Sequence, residues 1–156
     1  MSSLDVIYDL AIKRLDAQIE EIEGIDKKFG DNLQFASLII AIPITFLTIR
    51  PTQITMLILV PFMAALLIYL SILVLTVLGY GFQKLSYLAP IRKLRDHLID
   101  LEADYTKKVI LNIIMDNIES NKTIIYTKAR VARISFSLQY PLLAFVVTFL
   151  TLVVLN

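Results

Sequence analysis

Apolar and polar positions alternate along this chain in long blocks. The longest uncharged stretch, residues 54–82, contains no Asp, Glu, Lys, Arg or His. Because a helix rises about 1.5 Å per residue, a run of that length exceeds the roughly 30 Å hydrocarbon core of a bilayer. Residues 33–49 and 134–155 are also uncharged and mostly apolar. The pattern predicts three membrane-spanning helices, with the first two joined as a tight hairpin by residues 50–53.

The two polar blocks also have helical periodicity. In residues 1–32, apolar side chains recur at helical spacing from Leu4 to Phe29, which predicts an amphipathic helix ending at Gly30-Asp31-Asn32. Residues 84–133 contain two further helical patterns, and the sequence leaves open whether they form one helix or two. The predicted fold is all-α, with three transmembrane helices and a cytoplasmic helical bundle. Its four segments are residues 1–32, 33–83, 84–133 and 134–156.

Composition and charge agree with this division. Hydrophobic residues make up 57% of the chain and the mean hydropathy is +0.72, which favours an integral membrane protein. Residues 1–32 hold 4 Lys or Arg against 8 Asp or Glu, whereas residues 84–133 hold 10 against 6. Helices of opposite net charge attract, so we expect the two polar segments to pack together while burying their apolar stripes.

The distribution of basic residues predicts the orientation. Lys and Arg are concentrated in the two polar segments, while the hairpin turn holds only Arg50. Because basic residues near membrane-spanning ends favour the inner side, both polar segments are predicted to be cytoplasmic. Three crossings of the cell membrane then leave Asn156 outside.

Each predicted span carries a face of small or hydroxyl-bearing side chains at helical spacing. Such faces are typical of close helix packing, where hydroxyls bond across the contact; the alternative is the wall of a water-filled pore. The residues concerned are Ser37, Ala41 and Thr45 in the first span, Thr55, Tyr69 and Thr76 in the second, and Ser137, Ala144, Thr148 and Thr151 in the third.

No motif predicts a reaction. The chain has no GxGxxG, GxxxxGK[ST], GxSxG or HExxH pattern, no Cys, and one His. That His belongs to the charged cluster at residues 92–97, which is interpreted as an orientation signal rather than a catalytic or phosphate site. The acidic clusters at residues 20–26 and 96–104 lack the spacing of a calcium loop. We therefore expect no enzyme activity, no cofactor, no metal site and no nucleic-acid partner.

In layout, the chain resembles small multi-pass membrane proteins of prokaryotes, including effector-like proteins of antiviral defence. The resemblance rests on the segment DYTKKVILNIIMDNIESNKTIIYTKARVARISF, in which a charged helix passes through Asn121 and Lys128 into a final span. Such effectors commonly carry or partner a nucleotide-sensing domain. Two functions follow as hypotheses. The first is a non-enzymatic membrane subunit that oligomerises or serves as an accessory or scaffold component of a larger membrane complex; the alternative is a homo-oligomeric pore or membrane-disrupting effector.

Overall fold

The computed structural model describes residues 3–49, 55–81 and 103–155. They form four helices: α1 (Ser3–Ile49), α2 (Met56–Gly81), α3 (Ala103–Ser137) and α4 (Gln139–Leu155). Within these ranges only Thr55 and Leu138 lie outside a helix, so the all-α prediction is confirmed there. Three candidate spans are long and apolar enough to cross a membrane, namely α1, α2, and α3 with α4 taken together. The charged cluster at residues 92–97 and the rest of residues 82–102 lie outside the described ranges.

Helix α1 passes through Gly30-Asp31-Asn32 without interruption, so the predicted helix end at this point is wrong. A glycine ends a helix by adopting a positive φ, and no described glycine has one. The Asn32 side chain bonds to residues of another helix, as described below, instead of capping its own. The amphipathic segment before residue 33 and the uncharged segment 33–49 are therefore parts of one helix. This helix ends at Ile49, where the first span is predicted to end.

The polar segment and the last span are nearly continuous. Helix α3 includes Ser120 and Asn121, so the described part of residues 84–133 forms one helix. The interruption falls at Leu138, three residues before Pro141. Because proline has no N–H, the carbonyl of Ser137 loses its usual helical donor at this place. The amide of Leu142 still reaches the carbonyl of Leu138 at 3.2 Å, and the helix resumes.

The described residues fall into two compact units. The first, here called the polar unit, contains residues 3–24 of α1 and 103–128 of α3. Asp5 contacts Lys107, and Gln18 bonds to Ile118, so the two helices run parallel within this unit. Their contact buries five apolar side chains, Leu15, Ile22, Leu111, Ile114 and Ile125.

The second unit, here called the apolar unit, contains residues 25–49, 55–81 and 129–155. Its α1 and α2 segments are antiparallel, since Phe29 packs on Tyr80 while Ser37 contacts Tyr69. The start of α2 packs on the end of α4, with the rings of Phe62 and Phe149 5.7 Å apart. A core of small and aliphatic side chains fills the space between the three segments: Ala36, Ile39, Ile40, Ala65, Ile72, Leu142 and Val146.

Candidate functional site

The small and hydroxyl-bearing residues singled out in the spans lie mostly on the outside of the chain. Only Thr76 is buried, and Ser37 and Tyr69 are partly buried. The other seven are exposed: Ala41, Thr45, Thr55, Ser137, Ala144, Thr148 and Thr151. The faces that pack inside the chain are those beside them, such as Ala36 and Ile40 on α1 and Leu142 and Val146 on α4. The predicted roles of the exposed residues therefore concern contacts outside the single chain.

Ser37 and Tyr69 are the two predicted residues that the structure brings together. Their hydroxyl oxygens lie 3.2 Å apart across the α1–α2 contact, and the Ser37 hydroxyl also donates to the carbonyl of Leu33 at 2.8 Å. Thr76 is 1% exposed, and its hydroxyl has no hydrogen-bond partner in the structure. A polar contact thus joins the first two spans, near the start of the first and near the middle of the second.

The exposed threonine hydroxyls of α1 and α4 are satisfied within their own helices. Thr45 donates to the carbonyl of Ala41 at 2.8 Å, and Thr148 and Thr151 donate to the carbonyls of Ala144 and Val147 at 2.9 Å. A hydroxyl bonded in this way presents mainly its methyl group to the surroundings. These faces can therefore meet lipid or another helix closely without leaving a donor unpaired.

A groove lies beside one of these faces, between the start of α2 and the second half of α4. It has a volume of about 450 Å³, and the residues that line it include Met56, Val60, Pro61, Phe145 and Thr148. Met56 and Val60 are more than half exposed, at 78% and 65%. The groove is therefore open at the outside of the chain, and buried Pro61 is among the residues that line it.

A buried polar contact that the sequence analysis missed joins α1 to α3 and α4. The Asn32 side-chain amide donates to the Ser135 hydroxyl at 2.6 Å, and both residues are almost fully buried. The Gln139 amide donates to the side-chain oxygen of Asn32 and, at 3.3 Å, to its backbone carbonyl. The sequence pattern predicts a helix end at Asn32 instead. The feature of the sequence that could have indicated this contact is that Asn32 and Gln139 both lie at the polar end of a predicted span.

A close approach of two helices lies next to this contact. The ring of Phe29 packs directly on Gly79, and a Cβ added to Gly79 would fall within 2.8 Å of three Phe29 ring atoms. Phe29 is 0% exposed, and its ring lies 6.0 Å from that of Tyr80. The Tyr80 hydroxyl donates to the carbonyl of Asp26 at 3.0 Å. Glycine at position 79 is therefore what allows α1 and α2 to approach at this level.

The polar unit buries polar side chains among its aliphatic ones. Gln18 is 1% exposed and its amide donates to the carbonyl of Ile118 at 3.0 Å, while its side-chain oxygen has no partner. Asn121 and Lys128 are also buried. At the surface, Lys107 donates to Asp5; this hydrogen bond and the charge of the carboxylate raise the pKa of Lys107 above its ordinary value near 10.5. The unit thus pairs its helices by specific polar contacts as well as by apolar burial.

Within the described ranges, no group of three or more His, Cys, Asp or Glu side chains is arranged to hold a metal ion. No protein-family model, curated protein or solved structure matches this chain. The features that remain as a candidate site are the outward faces of the spans, with the groove beside Thr148.

Proposed function

We propose that this chain is a non-enzymatic multi-pass membrane subunit that assembles, with copies of itself or with other membrane proteins, through the outward faces of its spans. The main support is the placement of Ala41 and Thr45 on α1, and of Ala144, Thr148 and Thr151 on α4, on exposed surfaces of the chain. Small residues on exposed membrane helices allow another backbone to approach closely, which is the main source of helix association in lipid.

The extent of uncovered apolar surface supports the same proposal. In the most apolar 18-residue window of each candidate span, only 22 to 28% of the residues are buried within the chain. The remaining apolar residues require lipid or another protein around them, because apolar surface of this extent is unfavourable in water. The apolar groove beside Thr148 offers a place where a side chain of a neighbouring helix can insert.

The proposed orientation follows from the basic residues. The polar unit and the rest of residues 84–133 would be cytoplasmic, and the C-terminus would lie outside the cell membrane. In this arrangement, the charged helices project toward cytoplasmic partners while the spans assemble in the membrane.

A pore or membrane-disrupting effector is the second candidate. The apolar unit has an interior filled by aliphatic side chains, so a conduit would have to form between chains rather than within one. The faces that contain Thr45 or Thr148 would then line it. Both candidates therefore require assembly. In the first, the faces that contain Thr45 or Thr148 pack against another helix without water; in the second, they contact water in a pore.

The test is the mass of the full-length protein released from membranes in a mild detergent, together with dye leakage from vesicles that contain it. We expect a multimer or a complex with other membrane proteins, weakened by Thr148→Leu and unchanged by Val154→Leu, which is exposed on the same helix but does not line the groove. A monomer that is insensitive to both variants would contradict the proposal. A multimer that releases dye, and stops doing so in Thr148→Leu, would favour the pore.

A further inference from the structure

The first and last spans contain a short sequence repeat. Residues 41–48 read AIPITFLT and residues 144–151 read AFVVTFLT, so the two segments are identical at five of eight positions. Each identical residue of the second segment lies 103 positions after its counterpart in the first, and the same separation relates Asn32 to Ser135. Because the side chains of Asn32 and Ser135 are hydrogen-bonded between α1 and α3, the repeat follows the register in which these helices meet.

The two repeat segments lie at the same depth in the apolar unit. The contact of Asn32 with Ser135 fixes the register at one end of the spans. At the other end, Leu47 packs on the cluster that contains Phe149, so a separation close to 103 is kept there as well. Helix α1 is therefore parallel to α4, and position 45 is about level with position 148.

Both repeat segments present their alanine and threonine side chains to the outside of the chain. The exposed residues are Ala41, Thr45 and Thr48 on α1, and Ala144, Thr148 and Thr151 on α4. In both segments, each threonine hydroxyl donates to the carbonyl four residues earlier, at 2.8 to 2.9 Å. Surfaces of this kind allow a neighbouring backbone to approach closely.

Each repeat segment has a charged residue on its own helix face, and the two charges are opposite. Asp31 is the last charged residue of α1 and lies about four turns before Thr45; Arg133 is the last of α3 and α4 and lies about three turns before Ala144. Both are exposed, and neither has an ion pair or hydrogen bond in the part of the chain that the structure describes. The acidic face is defined here as Asp31, Ala41, Thr45 and Thr48, and the basic face as Arg133, Ala144, Thr148 and Thr151.

We propose that the acidic face of one copy of this chain packs against the basic face of a second copy inserted in the same orientation, with Asp31 of one copy bonded to Arg133 of the next. The inference rests on the proposed function and identifies its partner as this chain itself. Copies with the same orientation have each residue at the same depth, so the two repeat segments meet in register, alanine beside alanine and threonine beside threonine. Because each copy has one face of each kind, the contact is heterologous and repeats around a ring.

The charges favour contact between unlike faces. Two acidic faces would bring Asp31 beside Asp31, and two basic faces would bring Arg133 beside Arg133, and both arrangements are repulsive. Unlike faces pair a carboxylate with a guanidinium, which can donate two parallel N–H bonds to it. Lys27 is then level with Arg130, but these two residues lie about one turn further from the spans, where water and salt weaken their repulsion.

The experiment is cysteine cross-linking in membranes, since the natural chain has no Cys. Two full-length copies with different tags are produced together, one with Thr45→Cys and the other with Thr148→Cys, and the membranes are oxidised. A disulfide requires Cβ atoms about 3.5–4.5 Å apart, so we expect a mixed dimer from this pair. The control replaces Thr45→Cys by Phe46→Cys, which is 38% exposed and close in depth but about 100° around the helix, and should give about tenfold less mixed dimer.

Charge reversal tests the ion pair between copies. Asp31→Arg in the Thr45→Cys copy replaces an attraction by a repulsion, so the mixed dimer with Thr148→Cys should fall about fivefold. Arg133→Asp added to the Thr148→Cys copy should restore the mixed dimer. Restoration by a change in the other copy separates this contact from misfolding and from pairing of the two residues within one chain.

Three results would overturn the inference: no mixed dimer, equal cross-linking by Thr45→Cys and Phe46→Cys, or a charge reversal that has no effect or is not restored by its complement. If the protein is multimeric or bound to other membrane proteins in mild detergent but fails these tests, only this inference fails. If it is monomeric there and gives no mixed dimer in membranes, the proposed function fails as well.

Discussion

The polar and apolar units bury different kinds of side chain, although α1 and α3 contribute residues to both. The polar unit places Gln18, Asn121 and Lys128 among its aliphatic residues. The apolar unit fills its interior with aliphatic side chains and has a polar contact at Asn32, Ser135 and Gln139. In water, apolar burial drives association and buried polar groups can specify the pairing, whereas in lipid the fit between helices must supply the association. The buried side chains of the polar unit are of the kind that the first set of rules favours, and those of the apolar unit are of the kind that the second favours.

The largest expected effect concerns the fit between helices in the apolar unit. Gly79→Ala places a methyl group inside the space occupied by the Phe29 ring, which is fully buried and cannot move outward without disturbing its neighbours. Overpacking of this kind costs about 1–3 kcal/mol. Unfolding by SDS in mixed micelles should show the loss. Gly81→Ala, two residues further on the same helix, meets nothing within 4 Å and should be neutral or slightly stabilising. Equal behaviour of the two variants would show that α1 and α2 do not approach as described.

The polar contact of the apolar unit should have the next largest effect. Asn32→Ala removes the partner of Ser135 and Gln139 and leaves buried polar groups unpaired, which costs about 1–3 kcal/mol. The same unfolding assay measures it, with exposed Gln34→Ala as the matched amide control. Ser135→Ala should cost less when Asn32 is already alanine, because both changes break the same hydrogen bond. Strict additivity of the two variants would argue against that bond.

In the polar unit, Gln18→Leu is expected to have the opposite sign. The side-chain oxygen of Gln18 is buried without a partner, so its desolvation is not compensated. Leucine at this position should raise the free energy of unfolding by about 1 kcal/mol, since the gain in apolar burial exceeds the single hydrogen bond lost to Ile118. Thermal unfolding followed by circular dichroism provides the measurement. A destabilised variant would indicate that the Gln18 oxygen has a partner in solution.

The smallest effect should come from the surface pair of the polar unit. The pKa of Lys107 is raised by Asp5, so the pair stabilises the folded state at pH values below the ordinary lysine value of 10.5. This contribution is lost as the pH rises through the raised pKa. The difference in melting temperature between the wild type and Lys107→Gln should therefore be small at neutral pH and vanish well above pH 10.5. Exposed Lys108→Gln should show no such pH-dependent difference.

The sequence predicted the helices better than their contacts, for a physical reason. Uncharged runs identify spans, and α1 ends at Ile49 and α2 covers Met56–Gly81, close to the runs. In a helix that is apolar on every side, however, periodicity does not show which face is buried. The stripe containing Ala41 and Thr45 was as plausible as the buried one containing Ala36 and Ile40.

The continuity of α1 could not be predicted for a related reason. Gly30 followed by Asp31 and Asn32 is a common way to end a helix, and only tertiary contacts decide between ending and continuing. Here Asn32 bonds to Ser135, which is distant in the sequence, and the Tyr80 hydroxyl lies so close to Gly30 that a Cβ there would be 3.2 Å from it. Neither contact can be predicted from the residues around Gly30, because both partners are distant in the sequence.

The most direct test of the account is labelling of single cysteines in intact cells, since the natural chain has no Cys. We expect a membrane-impermeant maleimide to label Leu155→Cys, and to label Glu20→Cys and Lys108→Cys only after the cells are opened. Labelling of Glu20→Cys or Lys108→Cys in intact cells, or of all three variants alike, would contradict three crossings with the polar unit inside.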